Sequence, residues 1–302
     1  MKILVGYNGG EVGRKALSAA RDYAKLHQAS LVYVLTSMEG GASEKQADII
    51  KAQEGLTFAR SFIEDAGITC DAQESVRGLS PGEDLVMFAQ ENDVDHIFLG
   101  LKKKSRAQKL ILGSTSRHVI LKASCPVTTV KFDLETLSDH EILKDRRILI
   151  VDDEPDIVET IEEILDMCTL DTAGDFDTAK NLLDEKTYDA AVLDIMGVQG
   201  YDILDITTRK EIPSLMLTAH ALTPDNLKVS LEKGADAYVP KDELANIDEH
   251  MADVIKTRIA GKTGYGAWFS NLRPFFDKTF GQGWRDKDRS FWNSFDDKYG
   301  GG

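Results

Sequence analysis

"RRILIVDDEPDI", residues 146–157, sets four apolar residues in a row, follows them with two acids, and places a proline two positions later. An unbroken apolar run of this length suits a strand buried on both faces, as in a parallel sheet. Pro155 suits the first turn of a helix, where its missing N–H costs nothing. The same punctuation recurs downstream in "TLDTAGD" (169–175), "DAAVLDIM" (189–196), "PSLMLTAH" (213–220) and "ADAYVPK" (235–241). Helical spacing fills the intervals: Pro155 to about Met167, from Thr178, near Tyr201, from Pro224, and Glu243 to about Ile259. Strands alternating with helices in this way predict a doubly wound parallel sheet over residues 146–260.

In such a sheet the carboxyl ends of the strands converge on one crevice. Here they end in Asp152 and Asp153, in Asp194, in the hydroxyl of Thr218 and in the ammonium of Lys241. Carboxylates brought together repel one another unless a hard cation joins them, and oxygen ligands suit Mg²⁺. A carboxylate, a metal, a hydroxyl and a lysine around one point are the parts needed to accept a phosphoryl group. Each piece alone has an ordinary explanation: an Asp pair after a strand caps a helix, and a single Lys there is usually solvated. Five such positions, in order on alternating strands, favour a joint role.

The segments "ILIVDDEPDI", "AAVLDIMGVQGYDIL", "LMLTAH" and "GADAYVPK" resemble the receiver domain of two-component response regulators. The resemblance implies that Asp194 takes phosphate from a histidine kinase or a phosphotransfer protein. It also implies that Asp153 and Asp194 hold Mg²⁺ directly, that Asp152 assists through water, and that Met196 lends its backbone carbonyl. Thr218 and Lys241 would bind the phosphoryl oxygens, and Tyr238 stands at the aromatic switch position. One departure is Lys241-Asp242, where the family commonly has Lys-Pro.

Residues 1–132 carry a second alternation, with strand-like "KILVGY", "SLVYVLT", "ITCDAQESV", "DHIFLG" and "CPVTTVKF" separated by helical stretches. "KILVGYNGGEVGRKAL", "GLSPGEDLVMFAQENDVDHIFLG" and "GSTSRHVILKASCPVTTVK" resemble the universal stress protein family, many members of which bind ATP. The ATP-binding members carry Gly-x2-Gly-x9-Gly-Ser/Thr. This chain keeps the spacing with Gly100, Lys103, Gly113 and Ser114, but Lys103 replaces the second glycine, and Asn8 replaces the family's Asp after the first strand. Gly113 and Ser114 precede a helix whose N–H groups and dipole favour an anion. Lys102, Lys103, Lys104, Arg106 and Lys109 add positive charge. A lysine at the glycine position could equally fill the space that phosphates need, and a basic loop facing solvent is the plain alternative. The resemblance also implies a homodimer through the edge strand "PVTTVKF", whose unpaired backbone groups invite association.

The charge of −15 is unevenly placed: residues 1–132 carry 17 basic and 15 acidic side chains, 133–260 carry 12 and 31, and the last 42 carry 7 and 5. The acidic balance argues against nucleic acid as a partner. Three scattered cysteines without a Cys-x-x-Cys pattern suit a reducing, cytoplasmic setting. No apolar run is long enough to span a membrane. Residues 133–145, "DLETLSDHEILKD", read as an acidic linker. Residues 261–302 hold all three Trp and six of the twelve Phe. Trp268, Leu272 and Phe275, then Phe291, Phe295 and Tyr299, have helical spacing. This tail is too aromatic for a disordered linker. It suits folding back over its own chain or a dimer mate, docking an output protein, or lying at a membrane interface. Together these features predict two doubly wound α/β domains and an aromatic tail, in a phosphorylatable switch that is not an enzyme. The competing readings are a slow ATPase and a scaffold acting through the tail alone.

Overall fold

The computed structural model describes residues 1–38, 46–102, 113–219, 222–261, 267–281 and 283–299. The chain divides into two units, Met1–Glu135 and Thr136–Gly302.

The first unit alternates β1 (Lys2–Gly6), α1 (Glu11–Leu26), β2 (Leu31–Met38), α2 (Gln46–Glu64), β3 (Cys70–Val76), α3 (Pro81–Glu91), β4 (His96–Lys102), α4 (Ser114–Lys122) and β5 (Val127–Phe132). The strands form one parallel sheet in the order β3-β2-β1-β4-β5. Chain direction across the sheet reverses between β1 and β4, which opens a crevice at their carboxyl ends. Local chemistry sets the helices. α1 turns a face of Ala16, Leu17, Ala20 and Ala24 into the core. α3 opens at Ser80, whose N–H is met by the Glu83 carboxylate at 3.1 Å, with Pro81 in the first turn.

The second unit begins with α5 (Asp139–Leu143). It continues through β6 (Arg147–Val151), α6 (Pro155–Ile164), β7 (Thr169–Ala173), α7 (Phe176–Glu185), β8 (Ala190–Asp194) and α8 (Gly200–Arg209). β9 (Ser214–Thr218), α9 (Pro224–Glu232), β10 (Ala237–Pro240) and α10 (Ile247–Ile259) complete the alternation. Its parallel sheet has the order β7-β6-β8-β9-β10, reversing between β6 and β8. β8 and β9 are buried along their whole length, as their unbroken apolar runs require. Asp175 caps α7 by accepting from Thr178 N–H at 2.8 Å, and Thr223 caps α9 by accepting from Asn226 N–H at 3.1 Å.

The stretch expected as a linker, 133–145, is not all linker. Ser138 and Glu141 form a capping box that starts α5, and Ile142 and Leu143 are buried where α5 packs on α10. Asp139 pairs with Lys256 of α10. A helix of five residues is too short for a 3.6-residue period to register, so the acidic composition dominated the reading.

The tail forms α11 (Ala267–Phe280), a 3₁₀ turn at Trp284–Asp288 and α12 (Arg289–Tyr299). Its buried residues on α11 are Trp268, Phe269, Leu272 and Phe276, with Phe275 only half-buried, so the four-residue spacing of the expected set ends one position later. Trp292 and Phe295 supply the facing side from α12, both against the Phe269 ring. Trp284 closes the turn, its Nε1 donating to Asp277 Oδ1 at 2.8 Å. Of the three placements open to the tail, the structure shows folding back: α11 packs on β10 and α10 of its own unit. Among the described residues no helix is long and apolar enough to cross a membrane.

Candidate functional site

At the carboxyl end of β6 and β8, the second sheet brings three of its five expected side chains, Asp152, Asp194 and Lys241, into one buried cluster, with a fourth, Thr218, buried at the end of neighbouring β9. Asp152, Asp194 and Thr218 are 3 %, 5 % and 1 % exposed. Lys241 reaches them from the residue after β10, its Nζ lying 2.8 Å from Asp152 Oδ2 and 3.1 Å from Asp194 Oδ1. The other oxygen of Asp194 accepts from the N–H groups of Met196 and Gly197, both at 2.9 Å. Asp152 Oδ1 accepts from Glu154 N–H at 3.0 Å. The carboxylate of Asp194 is thus held from both sides, and its rotation is fixed.

Burial pushes the Asp152 carboxyl above its usual range, opposed by the hydrogen bond and charge of Lys241. For Lys241, burial acts to lower the pKa, but hydrogen bonds to Asp152, Glu154 and Asp194 outweigh it and hold the ammonium charged. Glu154 supplies the third bond, Oε1 to Nζ at 2.7 Å, from a side chain that is 61 % exposed. Sequence reasoning passed over Glu154, although it is the third acid in "DDE"; only the fold shows that it reaches Lys241.

Asp153 is exposed, and its carboxylate overlies Gly197, where a Cβ would lie 1.8 Å from Oδ1. Gly200 is equally constrained, since a Cβ there would lie 1.9 Å from the Asp194 carbonyl oxygen. Thr218 Oγ1 is buried with no hydrogen-bond partner of sound geometry. Behind it on the same face stands Tyr238, fully buried, whose phenol burial pushes above its ordinary range while the Thr218 hydroxyl pulls the other way.

The expected metal fits this donor set. Among the described residues no three acidic, His or Cys side chains are gathered as a ready cage. Mg²⁺ does not demand one: it keeps several waters and takes one or two carboxylates together with phosphate. Asp153 and Asp194, with the Met196 carbonyl, are oxygen donors of that kind.

The first unit holds a cavity of about 310 Å³ where its own sheet reverses, within the size range of small-molecule sites. Asn8 and Gly100 line it, and Thr115 and Ser116 line it from the start of α4. Gly113 is the N-cap of α4 and Ser114 its first residue; neither lines the cavity, and Lys103 lies outside the described residues. Gly100 has a reason independent of any ligand, since a Cβ there would lie 2.3 Å from the Val12 carbonyl oxygen of α1. Asn8 Oδ1 accepts from Gly10 N–H at 3.2 Å and so shapes the β1–α1 turn. Tyr7 and Ser37, at the ends of β1 and β2, also line the cavity and were not singled out in the sequence, because neither belongs to a spaced motif.

Residues 1–131 match the model of the universal stress protein family, and residues 148–252 match that of the response regulator receiver domain. The transcriptional regulatory protein TcrA of Mycobacterium tuberculosis is 37 % identical over 112 residues, covering 35 % of this chain and 43 % of TcrA. A universal stress protein of Methanocaldococcus jannaschii is 29 % identical over 140 residues, 43 % of this chain and 81 % of that protein. The chain thus spans less than half the length of TcrA, and 49 % of the DNA-binding response regulator MtrA of Mycolicibacterium smegmatis. Among solved structures, the universal stress protein from Archaeoglobus fulgidus is 37 % identical, covering 43 % of this chain and 98 % of that one, with a TM-score of 0.39. A response regulator from Chloroflexus aurantiacus is 25 % identical, covering 37 % and 98 %, with a TM-score of 0.34. The chain therefore carries a universal stress protein domain over residues 1–131, followed by a response regulator receiver domain over residues 148–252.

Proposed function

We propose that this protein is a two-component response regulator that accepts a phosphoryl group on Asp194 from a histidine kinase or phosphotransfer protein. The observation that carries the reading is the restraint on Asp194: two backbone N–H groups on one oxygen and the Lys241 ammonium on the other. Asp194 Oδ1 forms a bond to phosphorus as the bond from phosphorus to the donor histidine nitrogen breaks. Lys241 then follows the transferred oxygens, leaving Asp152 and Glu154 to balance its charge, and the Thr218 hydroxyl donates to one of them. Asp153, Asp194 and the Met196 carbonyl would hold Mg²⁺, which would supply positive charge to offset the phosphoryl oxygens. The chain is read as a switch, with no substrate turnover beyond its own phosphorylation, and with output through protein contacts. Intact-mass measurement after treatment with a small phosphodonor and Mg²⁺ should show one added phosphate. Asp194→Asn or a chelator should abolish it; undiminished labelling of Asp194→Asn removes the assignment.

The cavity of the first domain supports a second element of the reading, binding of an adenine nucleotide such as ATP. It is lined by the apolar Leu35, Leu85 and Leu99 together with the polar Asn8, Ser37, Thr115 and Ser116. Calorimetry with ATP checks this. If Lys103 contacts phosphate, Lys103→Gly weakens binding and added salt weakens it in the parent. If Lys103 obstructs, the same change strengthens binding. No heat with either protein refutes a nucleotide site.

A further inference from the structure

The receiver's tail touches the residue that stands directly behind the phosphoryl site. Phe276 of α11 is fully buried, and its ring centroid lies 6.3 Å from that of Tyr238, also fully buried. Tyr238 in turn lies two residues before Pro240, the register partner of Thr218, so Tyr238 and Thr218 share one face of the sheet. A second tie runs through α9, the helix that follows β9. Lys228 Nζ binds Asp288 of the tail at 2.9 Å and sits 5.5 Å above the Phe291 ring. Both routes therefore start at the carboxyl end of β9 and finish in α11–α12.

We infer that the aromatic tail is the intramolecular reader of the receiver, its packing on the α9–β10 face altered when Asp194 is phosphorylated. The inference rests on the phosphorylation reading above. The buried Thr218 hydroxyl lacks a well-aligned partner, and a phosphoryl oxygen on Asp194 would be one. Moving that hydroxyl toward the phosphate changes the space in front of Tyr238. A close-packed interior does not absorb such a change locally: a fully enclosed ring shifts as a unit or changes rotamer. Phe276 is the aromatic surface against which Tyr238 would move. It also belongs to a continuous ring cluster, stacking on Phe280 at 5.5 Å and meeting Trp284 at 6.4 Å. A displacement at Phe276 is thus delivered to the whole tail, while the Lys228–Asp288 pair, partly exposed, gives way at modest cost. The coupling is reciprocal: by whatever factor phosphorylation favours the undocked tail, undocking favours the phosphorylated form by the same factor.

All three Trp residues of the chain lie in the tail, and all three are buried there, so intrinsic Trp emission of the full chain reports on this packing alone. Emission and hydrogen exchange of residues 267–299 would be followed with Mg²⁺ and a small phosphodonor, with intact mass measured on the same samples. The expected result is a red-shifted emission and at least about 5-fold faster exchange in the tail. Both would appear only with the added phosphate and be absent in Asp194→Asn. Phe276→Leu, which keeps an apolar side chain, should shift the same signals without phosphodonor. Phosphate added with unchanged emission and exchange overturns the inference and leaves the Asp194 assignment intact. No added phosphate instead overturns the phosphorylation reading, and the inference with it. Should Phe276→Leu unfold the tail, Lys228→Ala, a part-exposed position on α9, replaces it; a phosphorylation response in that variant equal to the parent's overturns the α9 route.

Discussion

A Cβ at residue 197 would lie 1.8 Å from Asp153 Oδ1 and 2.2 Å from its Cγ, so the glycine is what lets that carboxylate lie over the β8–α8 loop. The contact is with a side chain, and Gly197→Ala is expected to displace Asp153 and leave the sheet intact. Mg²⁺ would then lose one of its carboxylate donors. The Mg²⁺ concentration for half-maximal phosphorylation should rise about tenfold, equivalent to roughly 1.4 kcal/mol, with little change in melting temperature. An unshifted Mg²⁺ curve refutes the role given to Asp153. Gly197 and Gly200 were visible in the sequence as glycines after a strand. Their reasons, a neighbouring carboxylate and a neighbouring carbonyl, are distances that no spacing rule encodes. Gly100 makes the same point in reverse: it fits a nucleotide motif, yet the Val12 carbonyl alone excludes a side chain there.

At the scale of elements, α10 holds His250 with 5 % exposure, and burial lowers its pKa below the usual value, against the raising influence of Glu243, Glu249 and Asp248. The sign follows: the folded chain takes up the proton less readily than the unfolded one, so acidification favours unfolding. Stability should be full above the unfolded value of about 6.5 and fall as pH drops below it. Thermal melts at pH 7.5 and 5.5 check this, and His250→Gln, which carries no titrating proton, should flatten the difference contributed by this residue. An equal pH dependence in the variant refutes it. The edge strand β5 is the other element with an open consequence. Among the described residues it pairs only with β4, and Thr129 is exposed on it. We propose that two copies associate along this edge. Light scattering of the full chain should give a dimer at micromolar concentration and a monomer for Thr129→Asp; a monomeric parent refutes the proposal.

Across the whole molecule, two parallel sheets of different strand order each place a crevice where that order reverses, between β1 and β4 and between β6 and β8. The two crevices are furnished differently. One is a cavity lined by leucines and by Asn8 and several hydroxyls; the other is a buried set of acids around one lysine. The uneven charge, 31 acids against 12 bases over residues 133–260, belongs to the unit that contains the acid cluster. The same unit carries the aromatic tail, so the candidate phosphoryl site and its proposed reader lie within one compact unit.

Apolar runs, turn residues and the order of chemistry-bearing residues were enough in the sequence alone to determine two doubly wound sheets and to put Asp152, Asp153, Asp194, Thr218 and Lys241 at or just beyond strand ends. Burial on both faces of a parallel strand leaves an unmistakable local pattern, and the topology then dictates which ends converge. What the tertiary structure decided was whatever depends on through-space distance between segments far apart in the chain. Glu154 reaches Lys241 across 87 positions, and Lys256 holds the short helix α5 across 117. Phe276, not Phe275, completes the buried stripe of α11, because the face of an aromatic helix that is hidden depends on its neighbour, here β10 with Tyr238. A helical period is a local property of the chain; the partner that a helix face meets is not.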